Sequence, residues 1–203
     1  MNKELKLPER VIFPRVTDII KQFVNIPYRK SINLGIGTAV HAAAALWDKQ
    51  ILEWKSLDDR IIPQVTAWVD FCNTENYKPL LIEQGIFIYL PESLMVAKGT
   101  CDRICMLDDI PTVLDLKCTD SIAPTVGIQT SMYAILYNYC NVLMEDQELP
   151  ENIQQRAVVY LRKNGKYKLK ILNKHTDMEA ASSMIYLYNY LLSNKLIKEN
   201  ERN

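Results

Sequence analysis

Two β-rich runs, Leu94–Leu107 and Thr112–Lys117, are separated only by Asp108-Asp109-Ile110-Pro111. A connection this short, made of turn residues, makes the two runs antiparallel neighbours in one sheet. The second run, Thr112-Val-Leu-Asp-Leu-Lys, carries Asp115 in otherwise apolar surroundings. A carboxylate in an inner strand is costly unless it is paired or binds a metal. Strand residues alternate between faces, so Asp115 and Lys117 project together while Leu114 and Leu116 enter the opposite layer. Pairing Leu107 with Thr112 sets Asp102 opposite Lys117 and Ile104 opposite Asp115, which gathers Asp102, Asp115 and Lys117 on one face. A slip of one residue would send Asp102 to the other side.

Helices are expected on both flanks of this centre. Thr17 reads as the N-cap of a short helix, Asp18–Phe23, ended by the Ile26-Pro27 step. After a Gly35-Ile36-Gly37 turn, Thr38 caps a helix to about Trp47, and a longer helix runs from about Ser56 to Asn73 with Pro63 as a kink or restart. A further strand, Leu81–Leu90, precedes the hairpin, and an amphipathic helix from Pro124 to about Leu143 follows it. Ala157–Arg162 and Lys166–Leu172 form a second hairpin through Asn164-Gly165, and a helix from about Asp177 to Lys198 closes the chain. The expected architecture is α/β, a central mixed β-sheet flanked by helices. Without repeats or a Gly/Ser linker, residues 1–203 read as one domain: N-terminal helices to about 78, sheet and helix at about 79–145, hairpin and helix at about 153–199.

The chain carries 24 Lys+Arg and 24 Asp+Glu, and its formal net charge is zero. That sum hides a segregation: residues 1–30 carry +4, residues 31–150 carry −9 and residues 151–203 carry +5. Cys72, Cys101, Cys105, Cys118 and Cys140 include no CxxC pair and read as reduced thiols. No apolar run approaches the ~20 residues needed to cross a bilayer, and the N-terminus lacks the apolar stretch of a signal peptide, so the expected compartment is cytoplasmic with no membrane partner.

Two carboxylates and a lysine on one sheet face have a specific use. The carboxylates offer hard oxygen ligands to Mg²⁺ or Mn²⁺, which can activate a water as nucleophile. The lysine can orient that water or put positive charge beside oxygens that become more negative in the transition state. The alternative is a structural Asp–Lys ion pair on a sheet.

The series Gly37-Thr-Ala-Val-His41, Glu83, Gly99-x-x-Asp102-Arg-Ile, Asp115-x-Lys117 and Gln129-x-x-x-Tyr133 resembles the PD-(D/E)XK nucleases of the RecB-like branch, with its phage and mitochondrial-type exonucleases. The opening Phe13-Pro-Arg-Val-Thr-Asp-Ile-Ile is similar to the start of the phage and mitochondrial members, so the resemblance spans about residues 13–137. It implies a restriction-endonuclease-like core and a Mg²⁺- or Mn²⁺-dependent DNA exonuclease that hydrolyses phosphodiester bonds. It also implies site roles: His41, Asp102, Asp115 and the main-chain carbonyl of Leu116 as metal ligands, Lys117 as the catalytic lysine, and Glu83 as a ligand to a second ion or through water. Gln129 and Tyr133, at i and i+4 on one helix face, would contact the scissile region and hold the lysine.

The cysteine spacing departs from that of members holding an iron–sulfur cluster, so no cluster is expected. Asp replaces Glu before the lysine, a normal variant. No helicase domain is expected in these residues, so strand separation would come from a recombination or replication partner, or from use of linear ends and single strands. A compact chain of this kind would suit a phage or mobile element. Arg29 and Lys30, just before the Gly35–His41 element, are candidates for phosphate contact, whereas Lys166, Lys168 and Lys170 read as a solvated face guarding a sheet edge. His175 lacks acidic neighbours and reads as a cap or surface residue. Two other functions stand beside the exonuclease: a structure-specific endonuclease of the same fold, and a catalytically idle nucleic-acid-binding module.

Overall fold

The computed structural model describes residues 13–25, 34–119, 124–140 and 149–198. Its centre is a sheet in the order β1-β2-β3-β4-β5, made of β1 (Tyr77–Leu90), β2 (Met95–Leu107), β3 (Ile110–Lys117), β4 (Gln155–Leu161) and β5 (Tyr167–Ile171). β3 and β4 run parallel and the other neighbours antiparallel, so the sheet is mixed. A parallel pair needs a long crossover, and α4 (Val126–Cys140) lies within it.

The β2–β3 connection is tighter than its sequence suggests. Only Asp108 and Asp109 turn, both with left-handed φ, 51° and 61°, a conformation that matches the twist of paired strands. Leu107 therefore pairs with Ile110 and Arg103 with Leu114. Continued one step, this register sets Asp102 opposite Asp115 and not opposite Lys117. The displacement is two residues, and an even displacement keeps the paired residues Arg103–Leu107 on their expected faces.

Helix starts also differ from expectation. α1 (Val16–Phe23) begins before Thr17, with the Asp18 and Ile19 amides donating to the Arg15 carbonyl at 2.9 and 3.0 Å. Val16 is fully buried, and the Lys98 amide donates to the Pro14 carbonyl at 2.9 Å, which ties the helix start to β2. α2 (Leu34–Asp48) takes Gly35 and Gly37 into its first turns in place of the expected turn and Thr38 cap. Ile36, Ala39, Val40, Ala43 and Ala44 pack in one cluster with Val65, Trp68 and Phe71 of α3 (Ile62–Thr74). That burial outweighs the ~1 kcal/mol each helical glycine costs relative to alanine. Pro63 sits in the first turn of α3, where its missing N–H has no cost, so the chain restarts there after a 3₁₀ turn at Trp54–Ser56.

α5 (His175–Ser193) starts two residues before Asp177, and the exposed His175 does have an acidic neighbour, its Nδ1 lying 3.4 Å from Glu179. The β4–β5 loop is residues 163–165, with Gly165 at φ 77°. Lys166 and Lys168 are exposed on this sheet edge.

α2 and α3 cover one sheet face through Leu114, Leu116, Ala157 and Val159. α1, α4 and α5 cover the other, packing Ile19, Leu136 and Ile185 around Ile86, Ile104 and Val113. The result is the expected α/β layering, consistent with a restriction-endonuclease-like core. Among the described residues, no helix is long and apolar enough to cross a membrane. All five cysteines are free thiols.

Candidate active site

His41 stands on α2 where it reaches β1 and β2. Its Nδ1 lies 3.4 Å from Asp102 Oδ1 and 3.8 Å from Glu83 Oε1. Donor atoms of His41, Glu83 and Asp102 all lie within 4.8 Å of one another, a spacing one cation can bridge. Burial works against a charged His41, but hydrogen bonds to Asp102, Cys118 and Glu83 outweigh it and raise its pKa from 6.5 to about 12. Burial also opposes ionisation of Asp102, yet His41, Lys117 and the Leu116 amide together hold it below the usual carboxylate value. That amide donates to Asp102 Oδ2 at 2.8 Å, so the β3 backbone between the two motif residues orients the carboxylate.

The second half of the site is a chain of side chains from β3 to α4. Lys117 Nζ lies 2.8 Å from Asp115 Oδ2 and donates to Gln129 Oε1 at 3.2 Å. Gln129 Nε2 in turn donates to Tyr133 Oη at 3.1 Å. One helical turn separates Gln129 from Tyr133, which is why the pair can meet. Burial lifts Asp115 to about 6, with Lys117 opposing and the neighbouring Asp102 charge adding to the rise. Asp115 lies outside the three-donor group, and its carboxylate grips the lysine. Lys117 is held above its usual value, because Asp115 more than offsets burial. Burial pushes the Tyr133 phenol up, so it stays protonated and neutral.

Beneath the donors lies a pair that sequence reasoning did not assign. Arg103, fully buried, donates from Nε to Asp48 Oδ2 at 2.6 Å and from Nη1 to Glu83 Oε1 at 3.1 Å. Its guanidinium carbon stands 5.4 Å from the Trp68 ring centroid, and Trp68 Nε1 donates to Asp48 at 3.2 Å. Asp48 follows His41 by seven residues, two turns along the same face of α2. An arginine beside Asp102 in a buried strand needs a partner, and that spacing was the available signal. Glu83, which Arg103 and His41 hold, has a left-handed φ of 50°. For a non-glycine residue this costs ~1–3 kcal/mol and persists where the surroundings dictate it.

The donor set suits a divalent cation. Among the described residues, Asp48, Glu83, Asp102 and Asp115 pair with two fixed cations, Arg103 and Lys117, when His41 is neutral enough to coordinate. One imidazole and several carboxylates are compatible with Mn²⁺, and the carboxylates with Mg²⁺. Arg29 and Lys30 lie outside the described residues.

No family model and no curated protein matches the chain. Among solved structures, a crystal structure from Eubacterium rectale, described as a "putative exonuclease", aligns over 89% of this chain and 74% of that one, with a TM-score of 0.48 and 13% identity. At that identity and score the likeness says nothing about the chemistry, which has to be argued from the residues themselves.

Proposed function

We propose that this chain is a divalent-metal-dependent deoxyribonuclease that works from DNA ends, hydrolysing phosphodiester bonds by attack of water. The observation that carries this reading is a lysine held by Asp115 and Gln129 directly beside the His41–Glu83–Asp102 donors. His41, Asp102 and Glu83 would hold the ion, with Asp115 and the Leu116 carbonyl as further ligands. Bound there, Mg²⁺ or Mn²⁺ supplies Lewis acidity and lowers the pKa of water.

The chain's own groups do the rest. Asp115 and Gln129 each take a contact from the Lys117 ammonium, leaving its remaining donor for the attacking water or a phosphoryl oxygen. Tyr133 fixes the Gln129 amide so that its oxygen faces the lysine. Asp48 and Arg103 hold Glu83 in place from below. Preference for ends is supported by the resemblance to the exonuclease branch.

Incubating linear and covalently closed circular DNA with Mg²⁺ or Mn²⁺ tests the proposal. Linear DNA is degraded, circles persist and chelation stops the reaction. Lys117→Ala, which removes the positive charge at the reacting centre, slows degradation by ~10²-fold or more. Wild-type-like degradation by that variant sinks the mechanism, cut circles select a structure-specific endonuclease, and binding without product from either substrate selects an idle module.

A further inference from the structure

Beside Tyr133, and separate from the donor group, lies a groove of about 590 Å³. Its walls include Arg15, Thr17, Phe87, Lys98 and Thr100, and Gly85, where a Cβ would meet nothing within 4 Å, leaves part of it free of side chains. No carboxylate lines it among the described residues, although the chain carries as many acidic as basic groups. Arg15 and Lys98 are exposed, are joined by a backbone bridge, and have no ion-pair partner among the described residues. Phe87 continues into an aromatic patch, with Phe13 at 5.5 Å from it and Tyr89 at 5.8 Å from Phe13.

The groove also points at the site. Lys98, Thr100 and Asp102 alternate along β2, at steps of ~6.7 Å, so its cationic wall leads along one strand to the donor group. Tyr133, which also lines it, connects through Gln129 to Lys117. A cationic, hydroxyl-bearing groove with an aromatic wall is the chemistry that holds a single nucleic-acid strand: phosphates on the cations, bases on the rings.

We infer that this groove binds single-stranded DNA next to the scissile phosphate, with Arg15 and Lys98 each neutralising a phosphate. The inference rests on the nuclease reading above and names its substrate form. Binding of a fluorescently labelled oligothymidylate, measured by anisotropy over a salt series in chelator so that nothing is cleaved, tests it. The Arg15→Ser, Lys98→Ser double variant binds ~10-fold more weakly or worse, and the slope of log affinity against log salt falls by about 1.4, from ~0.7 per phosphate contact. Arg15→Lys, Lys98→Arg keeps both charges and retains binding, which separates lost contacts from lost folding. Lys168→Ser, on the exposed edge strand β5, leaves affinity unchanged.

Unchanged affinity and slope in the double-serine variant overturn the inference, as does equal binding of a duplex of the same sequence. Hydrolysis of bis(p-nitrophenyl) phosphate by the wild-type protein with Mn²⁺ reads the chemistry separately. Its absence sinks the nuclease reading and leaves the groove standing, and its presence beside an unchanged double variant sinks the groove alone.

Discussion

A Cβ added at Gly99 would lie 2.7 Å from Tyr133 Cε1 and 3.3 Å from Val16 Cγ2. The ring can clear it only by leaving the position from which its hydroxyl meets Gln129. Gly99→Ala therefore destabilises the fold by ~1–3 kcal/mol through overpacking, and it lowers cleavage by up to ~10²-fold by displacing the support of Lys117. Denaturant unfolding and a cleavage assay on the same preparation check both. Glycine at this point of the motif thus has a packing cause that spacing alone does not reveal. The charged residues were more legible, because Asp115 and Lys117 stand out against an apolar strand. Asp48 and Arg103 were not, since their pairing joins positions 55 residues apart, and the left-handed Glu83 follows no local signal.

At the scale of elements, apolar alternation located β2 and β3 but not their register, which two turn residues decide. Asp108 and Asp109 hold left-handed φ values that Asn-Gly adopts with less strain. Replacing them as Asp108→Asn, Asp109→Gly should stabilise the protein by ~0.5–1 kcal/mol and leave cleavage unchanged. Chemical denaturation measures the first and the DNA assay the second, and a loss of stability would mean that the turn is held by contacts beyond its backbone. α2 shows the opposite error. Gly35 and Gly37 read as a turn, yet burial of the Ile36–Ala44 stripe against α3 carries the helix through them. Local propensity was outweighed by packing that only the tertiary fold supplies.

Across the whole molecule, a net charge of zero conceals an acidic centre of −9, and four of those negatives, Asp48, Glu83, Asp102 and Asp115, converge at the candidate site. Gathering them costs stability that a bound cation would restore. Mn²⁺ at ~100 times its Kd should add about 2.7 kcal/mol, raising Tm by roughly 5–10 °C for a chain of this size. Asp102→Ala should abolish that response, read by differential scanning calorimetry with and without chelator. Of the basic N-terminal segment, Arg15 lines a groove leading toward the acidic centre together with Lys98 of that centre, and residues 1–12, Arg29 and Lys30 lie outside the described residues. The most direct measurement is anomalous diffraction from crystals soaked in Mn²⁺. If these residues hold the ion, one strong peak lies within coordinating distance of His41 and Asp102, bordered by the carboxylates of Glu83 and Asp115. A peak elsewhere, or none at concentrations that support cleavage, would contradict that assignment.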